Sequence, residues 1–360
     1  MGQIYQGSNK IKKIMAGGTA VQKVYQGNIL IWSYGADLYA ELGNGWMKLS
    51  PSFDIIWHNT SYGGIVMAVT GDGYVFSSRG NEVYLINPQG EHVWTYENVY
   101  RAIIRNQAAA TANGRFIYSE DDTDHDGMIA LSSSGTKLWE QDEQNWWDGR
   151  GIEYRMIVAT PGNYIIAGYY YGGWSIERYS STNGNVLSGD YGSTGGLQVR
   201  GLTVDKDSYI YNILDGKTLR KYNINGDLVK SKTFTNGISL YDIDYNNHLY
   251  IGELSTDTIK KLDSNFNEIW AYQIPSELNI AHMTSLDDTE QGCVDKQGNF
   301  YVLCMYFVTG SQRSLKILSL DSDGRYRGLY TSTFVQSNPS GRIGVAYGKV
   351  GAFANKWASI

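Results

Sequence analysis

A unit of about 45 residues recurs from Ala36 to the end of the chain, and it leaves few folds open. Six short aromatic-rich segments mark it: Tyr74-Val75-Phe76, Phe116-Ile117-Tyr118, Tyr164-Ile165-Ile166, Tyr209-Ile210-Tyr211, His248-Leu249-Tyr250 and Phe300-Tyr301-Val302. Their starts lie 42, 48, 45, 39 and 52 residues apart. Each follows a first strand and a turn bearing Gly, Asn or Asp. A variable loop, a third strand, a second turn and a fourth strand, often marked by Trp, come after. The second turns are Asn87-Pro88-Gln89-Gly90, Ser133-Ser134-Gly135, Thr182-Asn183-Gly184, Asn223-Ile224-Asn225-Gly226, Ser264-Asn265 and Asp321-Ser322-Asp323-Gly324. Gly and Asn suit them because such hairpins need positive φ. Four strands repeating at this spacing predict the blades of an all-β propeller.

Six blades fit inside the chain, and its ends supply pieces of a seventh. Asp37-Leu38-Tyr39-Ala40, Trp46-Met47-Lys48-Leu49 and Ile55-Ile56-Trp57 read as a blade lacking its first strand, and Ile343-Gly344-Val345-Ala346-Tyr347 reads as that strand. A composite blade would remove an open sheet edge, so a seven-bladed β-propeller over residues 36–360 is expected, with six blades as the alternative. Composition agrees: 42 Gly, 29 Tyr and five Pro suit many tight turns between strands, and 42% apolar residues can fill the core.

Gly90 with Trp94, and Gly135 with Trp139, keep a Gly-x-x-x-Trp spacing that resembles quinoprotein-type propeller repeats, without the rest of their docking motif. A different repeat opens the chain. Tyr5-Gln6-Gly7, Met15-Ala16-Gly17 and Tyr25-Gln26-Gly27 stand ten residues apart, each followed four positions past its Gly by Ile11, Val21 or Ile31. Gly at the turn and β-branched residues beside it predict short β-hairpins, a small β-ribbon over residues 1–35. This pattern resembles a short module of tail and baseplate proteins of phages and prophages of Gram-positive hosts. The resemblance implies attachment to other virion proteins or assembly of a homo-oligomer, and location in the virion. The plainer reading is a ribbon that shields one end of the propeller.

A net charge of −6 and a pI near 5.4 argue against nucleic acid or anionic membrane as partners. Lys10, Lys12 and Lys13 are a local exception, read as a solvated ribbon face. Neither a membrane span nor a signal peptide is expected, so synthesis in the host cytoplasm before assembly is the expectation. Cys293 and Cys304 are the two cysteines. They are placed in consecutive strands of one hairpin, opposite or diagonal, and are expected as free thiols rather than a scaffold.

Second-to-third-strand loops and blade-to-blade connections leave a propeller on one face, and the irregular sequences of this chain concentrate there. Asp122-Thr123-Asp124-His125-Asp126-Gly127-Met128-Ile129 matches the opening of a calcium loop. Asp122, Asp124 and Asp126 stand at positions 1, 3 and 5, Gly127 at 6 and Met128 at 7, where a backbone carbonyl is the ligand. Ser133 at position 12 departs from the usual Glu, and a plain acidic hairpin loop is the competing reading. Ca²⁺ is the one cofactor expected. Trp146, Trp147, Tyr169, Tyr170, Tyr171 and Trp174 form an aromatic set that can stack on sugar faces, or else packs between blades. Asp148 and Arg150 can bind hydroxyls or phosphate, and Tyr100 and Arg101 extend the surface. The five His are scattered without metal spacing, and neither a nucleophile elbow nor a phosphate loop is present. Asp142, Glu143, Asp148 and Glu153 leave room for a glycosidase carboxylate pair. The leading expectation is a non-enzymatic virion protein that binds host surface polysaccharide or teichoic acid. A glycan-degrading enzyme and a structural docking platform are the alternatives.

Overall fold

The computed structural model describes the chain except residues 1–4, 7–8, 11–13, 17–18, 22, 27–28, 34–36, 42–45, 61–64, 80, 98–107, 122–125, 143–152, 171–173, 189–198, 279, 281, 284–291, 310–311, 334, 336–341 and 346–360. It is a seven-bladed β-propeller preceded by three hairpins. Blade 1 is composite: Arg342–Val345 is its innermost strand, pairing antiparallel with Leu38–Glu41, and Trp46–Leu49 and Ile55–Asn59 complete it. Blades 2 to 6 are consecutive four-stranded meanders over residues 65–97, 108–142, 153–188, 199–233 and 238–273. In blade 7, Gly292–Val294 and His282–Met283 both pair with the ten-residue strand Phe300–Thr309, followed by Gln312–Leu320 and Tyr326–Thr331. The hairpins join Tyr5–Gln6 to Asn9–Lys10, Ile14–Ala16 to Thr19–Val21, and Lys23–Gln26 to Ile29–Ser33, in step with the decapeptide.

The core is seven apolar clusters, one at each blade junction. Phe76, Leu85, Phe116 and Leu131 fill the one between blades 2 and 3, and Leu38, Leu49, Tyr301 and Ile317 the one that closes the ring between 7 and 1. Strand alternation explains this, because successive side chains face opposite neighbours and both faces of a blade are covered.

A second layer of adhesion runs along the rim. In every blade the ladder between third and outermost strands slips by one residue just after the turn, as between Leu85 and Ile86 or Lys261 and Leu262. Such a bulge adds twist and re-aims the strand. At six of the seven junctions the residue four places after a turn's positive-φ position then meets the positive-φ residue of the next blade's turn. Trp57 lies on Gly90, Trp94 on Gly135, Trp139 on Gly184 and Trp270 on Gly324, and an added Cβ would come within 2.6–3.0 Å of each ring. Each indole N–H donates to a carbonyl of that same turn, on Pro88, Ser133, Ser181 and Ser322. The Gly-x-x-x-Trp spacing is thus both halves of a dock, with glycine receiving the preceding blade's ring and tryptophan entering the next.

Two junctions invert the volumes. Phe266 and Phe53 hold the turn position themselves, at φ 64° and 66°. Lys230 reaches over the Phe266 ring, and a Cβ on Gly328 would lie 3.3 Å from Phe53. The expected positive-φ residue at Ser264-Asn265 is corrected to Phe266, whose ring is buried against Tyr211. At the junction of blades 4 and 5 the corresponding residues are Ser188 and Gly226, and no ring is supplied.

Cys293 pairs with Tyr301 while Cys304 pairs with Met283, three residues along the strand. An odd offset puts them on opposite sheet faces: Cys293 packs toward blade 1 and Cys304 toward blade 6. The opposite or diagonal arrangement is therefore corrected, and neither buried cysteine is in a disulfide. Burial pushes the Cys304 thiol up to about 12. A colorimetric thiol titration is expected to find no fast-reacting group in the native protein and two in denaturant. One rapid native thiol would contradict this packing.

Candidate functional site on the connector face

Chain direction fixes which loops share a face. Glu120, Gly127 and Asp142 form one lateral row across blade 3, so its second-to-third-strand loop and the end of its outermost strand lie at the same rim. Three consecutive connectors at that rim, residues 98–107, 143–152 and 189–198, are ten residues long, against four at 234–237 between blades 5 and 6. Blade 7's long hairpin also extends toward this face. The chain enters blade 1 at Asp37, at the start of a second strand, and thus on the opposite face of tight turns.

Several expected site residues fall outside the described residues: Tyr100, Arg101, Trp146, Trp147, Asp148, Arg150, Tyr171, Asp122 and Asp124. Three others are placed in the backbone. Tyr169 pairs with Ser175 and Tyr170 with Trp174, and Tyr170 also stands opposite Glu153. Glu153, Tyr170 and Trp174 therefore occupy one row at the connector rim, and Asp142 ends the outermost strand of the preceding blade.

The calcium pattern ends sooner than a twelve-residue loop. Asp126 already belongs to the strand Asp126–Leu131 and pairs with Asp121. Met128 lies in that strand with its side chain fully buried, so an ion could reach only its backbone carbonyl. Ser133 sits in the turn at the far end of the strand. Any donor set must come from the hairpin tip. Among the described residues, no group of three or more His, Cys, Asp or Glu could hold a metal ion.

The polar constellation that the sequence reading passed over lies on the opposite face. Asp205, Asp244 and Asp295 open the first turns of blades 5 to 7, each accepting from the backbone N–H groups two and four residues on. Each also accepts from the tyrosine six residues on, Tyr211, Tyr250 or Tyr301. The thrice-repeated Asp-x-x-x-x-x-Tyr was the available signal. In blade 6 the Asp244 carboxylate meets Lys261 Nζ at 3.1 Å and His248 Nδ1 at 3.0 Å. Burial alone would raise this carboxyl, but the His248 backbone N–H, Lys261 and the imidazole hold it below its usual value. Burial raises Asp205 and Asp295, which lack so close a cation. These groups satisfy one another, as buried polar groups must, and so tie turns to strands.

No family model matches this chain, and no curated protein does. Solved structures do resemble it. A streptogramin B lyase superposes with a TM-score of 0.55 at 13% identity, over 74% of this chain and 94% of the lyase. A catalytically inactive virginiamycin B lyase from Staphylococcus aureus with quinupristin gives 0.54 at 13% identity, over 82% of this chain and 88% of that one. At such identity the likeness establishes the propeller fold alone. No helix among the described residues is long and apolar enough to cross a membrane.

Proposed function

We propose that this chain is a non-enzymatic tail or baseplate protein of a virion, whose connector face binds a host surface polysaccharide or teichoic acid. The observation that carries this reading is polarity. The hairpin module joins the propeller on the tight-turn face, while the aromatic connectors flanking blades 3 and 4 leave from the other, so attachment and recognition do not compete for one surface. Among the described residues the three hairpins share no sheet with each other or with a blade. Two-stranded hairpins are marginal alone, so packing against copies of the chain or other virion proteins supplies their missing burial. The resulting multivalency turns weak sugar contacts into useful avidity.

Flat rings of Trp146, Trp147, Tyr170, Tyr171 and Trp174 suit sugar faces, and Tyr100, Arg101, Asp148 and Arg150 suit hydroxyls or phosphodiesters. Asp122, Asp124 and Asp126 offer hard oxygens suited to Ca²⁺.

Titration of the full chain against a glycan array containing wall polysaccharides and teichoic-acid fragments, with calcium or with chelator, tests this. Saturable binding without cleavage is expected, weakened about tenfold in Trp147→Ala, a change of about 1.4 kcal/mol. Cleavage lost on changing Asp142 or Glu153 would establish the enzyme instead. Binding to neither class would leave the protein-docking platform.

A further inference from the structure

Charge divides this chain unevenly. Residues 1–36 hold four lysines, Lys10, Lys12, Lys13 and Lys23, and no Asp or Glu. The remainder of a chain of net −6 therefore stands at −10. Much of that surplus lies on the tight-turn face, whose thirteen turns, from 50–54 to 321–325, contain eleven Asp or Glu against four Lys or Arg. Asp205, Asp244 and Asp295 are buried, but Asp54, Glu91, Asp207, Asp227 and Asp323 reach solvent. Asn87 and Asn223 hold Glu91 and Asp227 at their turns without removing the charge. Two of the four cations are already engaged, Arg325 with Asp323 and Arg115 with the Ser181 carbonyl.

An apolar collar surrounds this face. In every blade a large apolar side chain is exposed within three residues past the positive-φ position of the third-to-fourth-strand turn, from Ile55 in blade 1 to Tyr326 in blade 7. Ten of the thirteen exposed large apolar side chains among the described residues sit in this collar, which sets it apart from the single scatter of an ordinary surface. The adjacent blades 4 and 5 expose two each, Val186 and Leu187, then Leu228 and Val229. They lie across the ring from blade 1.

The hairpin module has the complementary chemistry. Its strands carry Ile14, Val21, Val24, Tyr25, Ile31 and Trp32, its lysines have no acid beside them in sequence, and its hairpins share no sheet with a blade. Four residues, 34–37, separate Ile29–Ser33 from Leu38–Glu41, a reach of at most about 14 Å. That tether roots each module at blade 1 of its own copy. In a two-fold pair with tight-turn faces opposed, the module of one copy can lie over blades 4 and 5 of the other.

We propose that the tight-turn face binds the hairpin module of a second copy of this chain, two copies exchanging modules face to face. Lysines of one copy then meet exposed carboxylates of the other, and the hairpins gain the burial that a lone two-stranded sheet lacks. This pairing gives the hairpins of the proposed function a specific partner, and it forms whether or not the connector face binds glycan.

Sedimentation equilibrium of the full chain tests the pairing. A dimer that dissociates in high salt is expected, since exposed charges are screened. Lys12→Glu with Lys13→Glu should raise the dimer dissociation constant at least tenfold, as each change occurs twice in a two-fold interface. Glu91→Lys with Asp227→Lys should do the same from the other side, and a chain carrying all four changes should dimerise again. Lys217→Glu, a like change in the exposed second-to-third-strand loop of blade 5 on the connector face, should leave the dimer intact. A chain that is monomeric at low salt would overturn the proposal, and a fall in its melting temperature on the module reversals would assign the module to its own propeller. A dimer indifferent to both pairs of reversals would overturn it too, as would a folded fourfold variant that stays dissociated.

Discussion

A chain cut after Gly341 is expected to show no cooperative thermal transition and to elute as aggregate. Among the described residues Arg342–Val345 form the innermost strand of blade 1, and the strand they cover holds Leu38, Tyr39 and Ala40 at 0% exposure. Ile343 also packs on the cluster that joins blades 7 and 1. Exposing several such side chains costs about 1.5–3 kcal/mol each, which approaches the roughly 5–15 kcal/mol that holds a typical domain together. The unpaired edge would also template aggregation. Circular dichroism melting and size-exclusion chromatography of the truncated chain decide the matter. A monomer melting where the full chain does would show that six blades suffice.

The second large effect comes from one methyl group. Gly135→Ala is expected to lose about 3–4 kcal/mol and Gly216→Ala about 1–2, although both glycines hold positive φ, at 79° and 64°. The backbone cost of a left-handed alanine, about 1–2 kcal/mol, is common to both. At Gly135 the new Cβ would lie 2.7 Å from Cδ2 of Trp94, while at Gly216 nothing lies within 4 Å. The ring must leave, taking with it apolar burial and the indole bond to Ser133, together worth about 2 kcal/mol. Denaturant midpoints of the two variants measure the difference. Introducing Trp94→Ala beneath Gly135→Ala should recover part of the loss. Equal losses in the two single variants would mean that the indole is not a dock.

The blades were legible because alternation and turn chemistry repeat. Tyr74-Val75-Phe76 and its counterparts mark second strands, and the match of Ile343 to a blade missing its first strand follows from counting elements. Phe53 and Phe266 were not legible as turn residues, since local chemistry asks for Gly or Asn at positive φ. Packing overrides it: each ring fills a slot that tryptophan fills elsewhere, and only the facing residues Gly328 and Lys230, far away in sequence, reveal the exchange. The opposed directions of Cys293 and Cys304 depended on a register that composition does not encode. The face that carries the long connectors was legible from their length, and the Glu153, Tyr170 and Trp174 row only once strand pairing was known.

The strand that closes the ring also sets a timetable. Leu38 pairs with Val345, a separation of 307 residues that spans nearly the whole chain. During synthesis the meander blades can form as they emerge, since each pairs strands that are neighbours in sequence. Blade 1 must wait, its second strand already made and its partner still untranslated. Long-range pairings of this kind are slow because the intervening loop must first be ordered. At about 5–20 residues per second, that partner arrives about 15–60 s after Leu38 is made. Ring closure is therefore the last step in assembling the propeller, and it falls at the seam where Gly328 meets Phe53 in the reversed sense.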